Sequence, residues 1–262
     1  ASLGEMTQAG FPIPPGFVVL SNAFEQFLNE TKIHADIDSI LHAVNKDDVN
    51  SVEHASEKIN GIILSEEIPS DIAKEIIQNF HFLNAQFVAV RSSATAEDSA
   101  SAAWAGQLDS FLNTTDANLL ENVRKCWASL FTPRAIFYRF EKNLHNEHVS
   151  VAVVVQKMIA SDAAGIAFSV HPVTQDRNQM IIEGGLGLGE AVVSGQVTPD
   201  SFVIEKNSLQ ISEKNISSQE KMLVRSPKEG NEWKEIASNA QEKQKISDDQ
   251  VLSLSKIIMN IE

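Results

Sequence analysis

Four short β-branched runs in the second half of the chain set the strongest limit on its fold. "VSVAVVVQKMI" (149–159), "AGIAFSV" (164–170), "QMIIEGG" (179–185) and "DSFVIEK" (200–206) are split by Asp, Gly, Asn and Pro turns. Branched side chains suit a pleated strand, and such turns end one, so the runs predict a meander of strands. Between the last two lies "GLGLGEAVVSGQV", which predicts a glycine-rich loop and a short helix.

The stretch before residue 149 has a different period. "FPIPPGFVVL" (11–20) is a stiff proline loop feeding a strand at Phe17–Leu20. A helix follows, with Ser21 or Asn22 as N-cap and Phe24, Phe27 and Leu28 at helical spacing. Residues 34–64 are helical and moderately polar. Pro69 and Ser70 open a stronger helix carrying Ile72, Ile76, Ile77, Phe80 and Leu83. Phe87–Val90 is a strand. Asp116 caps a helix striped with Leu119, Leu120, Val123, Trp127 and Leu130, and Pro133 starts another. Residues 207–245 are polar and predict weak edge strands or a long surface loop. A last helix starts near Ser247, its face formed by Val251, Leu254, Ile257, Ile258 and Ile261. The fold class is α+β, a helix-rich part followed by strands.

Charge and cysteine content exclude several functions. The 262 residues carry 35 acids against 21 bases, a net charge of −14. A nucleic-acid binder wants a basic face, so that partner is not expected. No run approaches the ~18 apolar residues of a membrane span. Residues 1–10 have neither the basic nor the apolar region of a secretory signal. The single cysteine, Cys126, excludes an internal disulfide and fits a cytoplasmic protein. It lies beside Trp127 on an apolar stripe, the setting of a buried structural thiol rather than a nucleophile. The seven histidines are scattered and form no H-E-x-x-H pair, so no zinc site is expected.

Arg91 is the only Lys or Arg between Lys74 and Arg124. It ends the strand "FVAV" and is followed by "SSATAEDSASAAWAG". Arg offers planar bidentate donors that match phosphate oxygens, and Ser92, Ser93, Thr95 and Ser99 add hydroxyls. Glu97 and Asp98 can cap a helix, orient Arg91 or help hold Mg²⁺. A solvated surface charge on a serine-rich loop explains the same residues without a ligand. "EGGLGLGEA" (183–191) lacks both G-x-G-x-x-G and a Walker A loop. Strand, glycine loop and helix fit an anion cradle, and a tight turn explains the glycines as well. "VVVQKM" (153–158) fits an adenine-reading strand end with Met158 on the ring, or an ordinary core strand.

Taken together, "LGEMTQAGFPIPPGFVVL", "FVAVRSSATAEDSASAAWAGQLDSFLN", "CWASLFTPRAIFYR", "GIAFSVHPVT" and "GLGLGEAVVSGQVTPDSF" resemble the N-terminal nucleotide-binding domain shared by phosphoenolpyruvate synthase, pyruvate phosphate dikinase and rifampicin phosphotransferase. The resemblance covers residues 1 to about 206 in order. It implies an ATP-grasp-like domain whose two α+β lobes clamp Mg-ATP. Residues 1–110 are then a helix-rich first lobe with the phosphate-binding loop. Residues 111–206 form helices and the β-meander of the core, and 207–262 a polar segment and a final helix. The implied cofactors are ATP and Mg²⁺. The implied reaction moves the β-phosphoryl group of ATP to a histidine on a swivelling domain, with water, releasing AMP and phosphate, and pyruvate on a further domain then receives it to give phosphoenolpyruvate. Neither domain is in this chain.

Residue by residue, the resemblance implies that Arg91 neutralises charge on the transferring phosphoryl group. Ser92, Ser93, Gly106 and Ser110 match loop positions at the nucleotide. Gln156, Lys157 and Met158 match the hinge where adenine sits, and Glu183 and Glu190 flank the glycine loop. His171 stands where relatives often have Asp or Asn and receives no role. The family's glycine-glycine-lysine ahead of "ASLGEM" and its final metal-binding strands are not in this sequence, so the expectation is a domain cut at both ends and inactive alone. A rifampicin phosphotransferase shares the first half-reaction and is the alternative within the family. A nucleotide-binding module without catalysis is the alternative of another class.

Overall fold

A computed structural model describes residues 2–94, 109–142, 144, 149–226 and 230–262. In chain order the elements are α1 (Ser2–Gln8), β1 (Gly16–Val19), α2 (Ser21–Thr31), α3 (His34–His42), α4 (Val49–Ser65), α5 (Ser70–Phe82), β2 (Val88–Ala94) and β3 (Ser110–Thr114). Then come α6 (Leu119–Ala128), α7 (Pro133–Glu141), β4 (Val151–Lys157), β5 (Ala163–Phe168), β6 (Gln179–Leu186), α8 (Gly189–Val193) and β7 (Asp200–Glu205). Last are β8 (Gln210–Asn215), β9 (Lys221–Arg225), β10 (Asn231–Glu235) and α9 (Asp248–Ile261). The paired strands are antiparallel, and helices and sheets mix as an α+β fold. No helix among the described residues is long and apolar enough to cross a membrane.

The chain packs into two compact units, Pro14–Met158, and Ala1–Ile13 with Ile159–Glu262. Divisions near residues 110 and 206 do not coincide with these borders, because β3 is bonded to β2 and β8 to β7. Pro14–Met158 enters and leaves at one place. The Gln156 side-chain amide donates to Pro14 O at 3.0 Å, and Lys157 N donates to Pro15 O at 2.9 Å.

In this unit the sheet order is β1-β4-β2-β3. Val88, Val90, Val151, Val153 and Val155 project from one face at 0% exposure, under a helical layer. Trp127 lies 5.0 Å from the Phe27 ring and 5.6 Å from Phe24, all buried. Truncating one such aromatic costs about 3–5 kcal/mol. Arg124 ties the layer to the end of α4, donating to Leu64 O at 2.9 Å and Glu66 O at 2.7 Å. These are carbonyls with no partner inside their own helix.

Several local signals resolve differently from expectation. The 34–64 stretch is two helices, interrupted at 43–48, because the Asp48 carboxylate accepts from Asn50 N at 3.1 Å and starts α4 afresh. The N-cap of α2 is Leu20, whose carbonyl accepts from Ala23 N, and neither Ser21 nor Asn22 caps by side chain. Thr115, not Asp116, begins the next helical segment through a reciprocal box with Asn118.

The second unit holds a meander of order β5-β6-β7-β8, covered on one face by Ile246, Val251 and Ile258. A Cβ on Gly184 would meet Ile246 Cδ1 at 2.8 Å, so the strand is glycine where this layer presses closest. The polar 207–245 stretch is not a loose loop. It forms β8 and the β9–β10 hairpin and delivers Lys245 into the interior. Lys245 Nζ lies 3.1 Å from Asp200 Oδ1, with both side chains at 0% exposure. Asp200 also accepts from Ser217 N at 3.1 Å and Lys245 N at 2.7 Å, and Lys245 Nζ donates to Ser217 O. A buried charge is tolerable only when its partner and hydrogen bonds are complete.

Asp200→Ala leaves the Lys245 ammonium buried without its counter-charge. Urea unfolding of the chain is expected to show a loss of about 3–5 kcal/mol. A loss below about 1 kcal/mol contradicts the anchoring role.

Candidate functional site

Arg91 does not end its strand. β2 runs on to Ala94 because Val151–Val154 of β4 offer a free ladder to Ser92, Ser93 and Ala94. Backbone pairing overrides the weak strand preference of Ser and Ala. Arg91 is therefore mid-strand, opposite Val154 on one side and Ser110 on the other. Side chains alternate across a strand, so Arg91 shares its face with Ala89 and Ser93, away from Val88 and Val90. Val18, opposite Val154, belongs to the same face and is 48% exposed. Among the described strand positions of this face, Arg91 is the sole cation. Its neighbours across the strands, Ser110 and Val154, are short or aliphatic.

Ser93, Ser110 and Gln156 lie on the Arg91 face by register. Ser92 and Lys157 belong to the other face. The Ser92 hydroxyl lies 2.9 Å from Asp109 O and 3.0 Å from Ser129 Oγ, on the helical side. Lys157 is opposite Val88 at the sheet end. Met158 continues the ladder, its N–H donating to Phe87 O at 3.0 Å. Its thioether accepts from Asn113 N at 2.9 Å, where β3 bulges and Asn113 has φ 54°. Gly106, Thr95, Glu97, Asp98 and Ser99 lie outside the described residues.

Glu183 and Glu190 belong to the other unit. Glu183 is half-buried in β6, opposite Ile166 and Ser201. Glu190 is exposed on α8, and its Oε2 accepts from Asn231 Nδ2 at 2.8 Å. The glycine run between them is a packed turn. Leu186 N donates to the Gln219 side chain at 2.9 Å, Gly187 N to Asp162 O at 2.9 Å and Leu188 N to Leu223 O at 2.8 Å. These three donors are engaged within the chain. Gly187 has φ 92°, and a Cβ there would meet Leu223 O at 2.5 Å. Gln219, 2% exposed, also donates to Leu186 O and Lys221 O at 3.0 Å each. Sequence reading passed over Gln219 and Asn231, since each acts on a partner far along the chain.

Three open hollows lie elsewhere. Cavities of about 240, 610 and 250 Å³ lie beside α2 and α5, between α5 and α6, and between α3 and α4, and Arg91 lines none of the three. Among the described residues, no group of three or more His, Cys, Asp or Glu could hold a metal ion. His171 turns out to organise its own loop. Its Nδ1 accepts from Val173 N and Thr174 N at 3.2 Å each, as an Asp or Asn oxygen does in a turn.

The whole chain, residues 1–262, matches the family described as pyruvate phosphate dikinase, AMP/ATP-binding domain. A probable phosphoenolpyruvate synthase of Methanocaldococcus jannaschii is 42% identical over 269 aligned residues, covering 100% of this chain and 23% of that protein. A second, of Methanothermobacter thermautotrophicus, is 41% identical, covering 98% of this chain and 38% of the relative. The phosphoenolpyruvate synthase of Pyrococcus furiosus is 37% identical, covering 100% and 38%. The chain thus spans well under half the length of these curated relatives.

Cys126 is buried at 0% exposure, and burial pushes its thiol up to about 12. A folded pKa raised above the unfolded value of 9.0 contributes stability below pH 9, lost as pH rises toward 12. Between pH 8 and pH 10 the chain is expected to lose about 1 kcal/mol more than a Cys126→Ala variant in urea unfolding. Equal losses contradict the neutral, buried thiol.

Proposed function

Since the chain belongs to the family of the pyruvate phosphate dikinase AMP/ATP-binding domain, we propose that it is the ATP-binding part of a phosphoenolpyruvate synthase-type phosphotransferase acting in the cytoplasm. Its nucleotide chemistry is of the ATP-grasp kind. The observation that carries this reading is the placement of Arg91, the one cation among the described strand positions of its sheet face, opposite Ser110 and two residues before Ser93.

In this proposal the Arg91 guanidinium meets the phosphates with parallel N–H donors and offsets charge that grows on the transferring group. Ser93 and Ser110 supply hydroxyls to the same oxygens. Gln156, Lys157 and Met158 frame the adenine at the end of β4. Ser92 serves from beneath the strand. Glu183 and Glu190 are assigned to the nucleotide in their own unit. Mg²⁺ would come with the ATP phosphates, keeping mostly phosphate and water oxygens around it, and would supply charge neutralisation there. The phosphoryl group passes to a histidine of a swivelling domain and from there to pyruvate.

The test is ATP-dependent labelling of a full-length enzyme carrying this domain, with pyruvate and with rifampicin as acceptors. Pyruvate is expected to take the label. Transfer to rifampicin alone makes the enzyme an antibiotic phosphotransferase, and no labelling at all leaves a binding module. Arg91→Ala is expected to lower labelling by about 10²–10³-fold, the order seen on removing one charge-stabilising donor. The melting temperature is expected to hold, because Arg91 is exposed. A near-normal rate removes Arg91 from the site.

A further inference from the structure

Ser92 is one residue from Arg91 but faces the other way. Val88 and Val90 precede it on the covered face at 0% exposure, so packing alone favours a third aliphatic side chain. The chain puts a hydroxyl there and surrounds it with oxygens. Asp109 O lies at 2.9 Å, Ser129 Oγ at 3.0 Å and Cys126 O at 3.4 Å. Ser129 is 1% exposed, and its own hydroxyl is 2.7 Å from Cys126 O.

Two hydroxyl protons serve these contacts, and two arrangements balance using the contacts of 3.0 Å or less. In one, Ser92 donates to Asp109 O and Ser129 donates to Ser92 Oγ. In the other, Ser129 donates to Cys126 O and Ser92 donates to Ser129 Oγ. Asp109 O then keeps the Ser92 backbone N–H, at 3.2 Å. Both join the same three segments: β2 beside Arg91, the lead into β3, and the turn after α6. Asp109 immediately precedes Ser110, the residue opposite Arg91.

We infer that Ser92 and Ser129 form a positioning pair for Arg91, locking the strand that carries the guanidinium to the strand that carries Ser110. The inference rests on the reading of Arg91 as the phosphate-binding arginine. A hydroxyl committed on the helical side has no lone pair turned to the nucleotide face, so Ser92 acts through Arg91. A long side chain is aimed by the backbone beneath it, and a misplacement of about 1 Å can cost ~10²-fold in rate.

ATP-dependent labelling of the full-length enzyme tests this with Arg91→Ala, Ser92→Ala, Ser92→Thr, Ser129→Ala and the double variant Arg91→Ala/Ser92→Ala. Ser92→Ala is expected to lower labelling by about tenfold, and Ser92→Thr, which keeps the hydroxyl, to recover most of it. In the Arg91→Ala background the Ser92 change is expected to add less than about twofold, the signature of coupled residues. If Ser92→Ala does not fold, Ser129→Ala breaks the pair from the other side and carries the same expectations. A normal Ser92→Ala beside a crippled Arg91→Ala overturns the inference alone, and so do effects that multiply in the double variant. A normal Arg91→Ala overturns the parent reading and this one with it.

Discussion

The antiparallel ladder between β2 and β4 is the interaction on which the Pro14–Met158 unit depends. It pairs Val88 through Ala94 with Lys157 through Val151 without a break. β1 hangs on one side of that pair and β3 on the other. Because every second side chain changes face, the ladder sorts residues into two populations. Val88, Val90, Val151, Val153 and Val155 go under the helices, and Ala89, Arg91, Ser93, Val154 and Gln156 go to the opposite side. A slip of one residue would bury Arg91 and expose Val90. The core therefore enforces the placement of the cation. Burial on one face holds the register that the other face uses.

The second unit solves a different problem. Its meander offers a covered face of modest size, so it recruits the polar 207–245 stretch as a lining. Asp200 and Lys245 fix that lining from inside, and Gln219 fixes it against the glycine turn. The cost of burying these groups is offset because each has its bonds complete. Glu190 then projects from a helix whose entry turn is bonded on consecutive residues.

Much of this was legible in the sequence where one short-range rule governs. The valine alternation of 151–157 announced β4, and Ile72, Ile76 and Phe80 announced α5. The Gly184–Gly187 crowding was visible as a glycine cluster, but its reason was not, since Ile246 and Leu223 press on it from far along the chain. β3 and the end of β2 were missed because Ser, Ala and Asn carry little strand preference, and pairing partners supplied what propensity lacked. Arg91 stood out as an isolated cation. Which hydroxyl accompanies it was not legible, because Ser92 and Ser93 are chemically alike and differ only in which face the ladder gives them. The polar 207–245 stretch was legible as edge strands, but its interior residues were not, for a related reason. Composition reads Gln219 and Lys245 as surface residues, and only a completed hydrogen-bond set makes them interior ones.

The hydrogen bonds that pin Pro14 and Pro15 to Gln156 and Lys157 bear on how the molecule is made. They make Pro14–Met158 a closed cassette set into the chain, its first and last residues side by side. During synthesis from the N-terminus, every residue of that cassette is available before Ile159 emerges. It has what it needs to fold on the ribosome. Residues 1–13 belong with the unit that follows, so they must wait for their partners until the whole cassette has emerged.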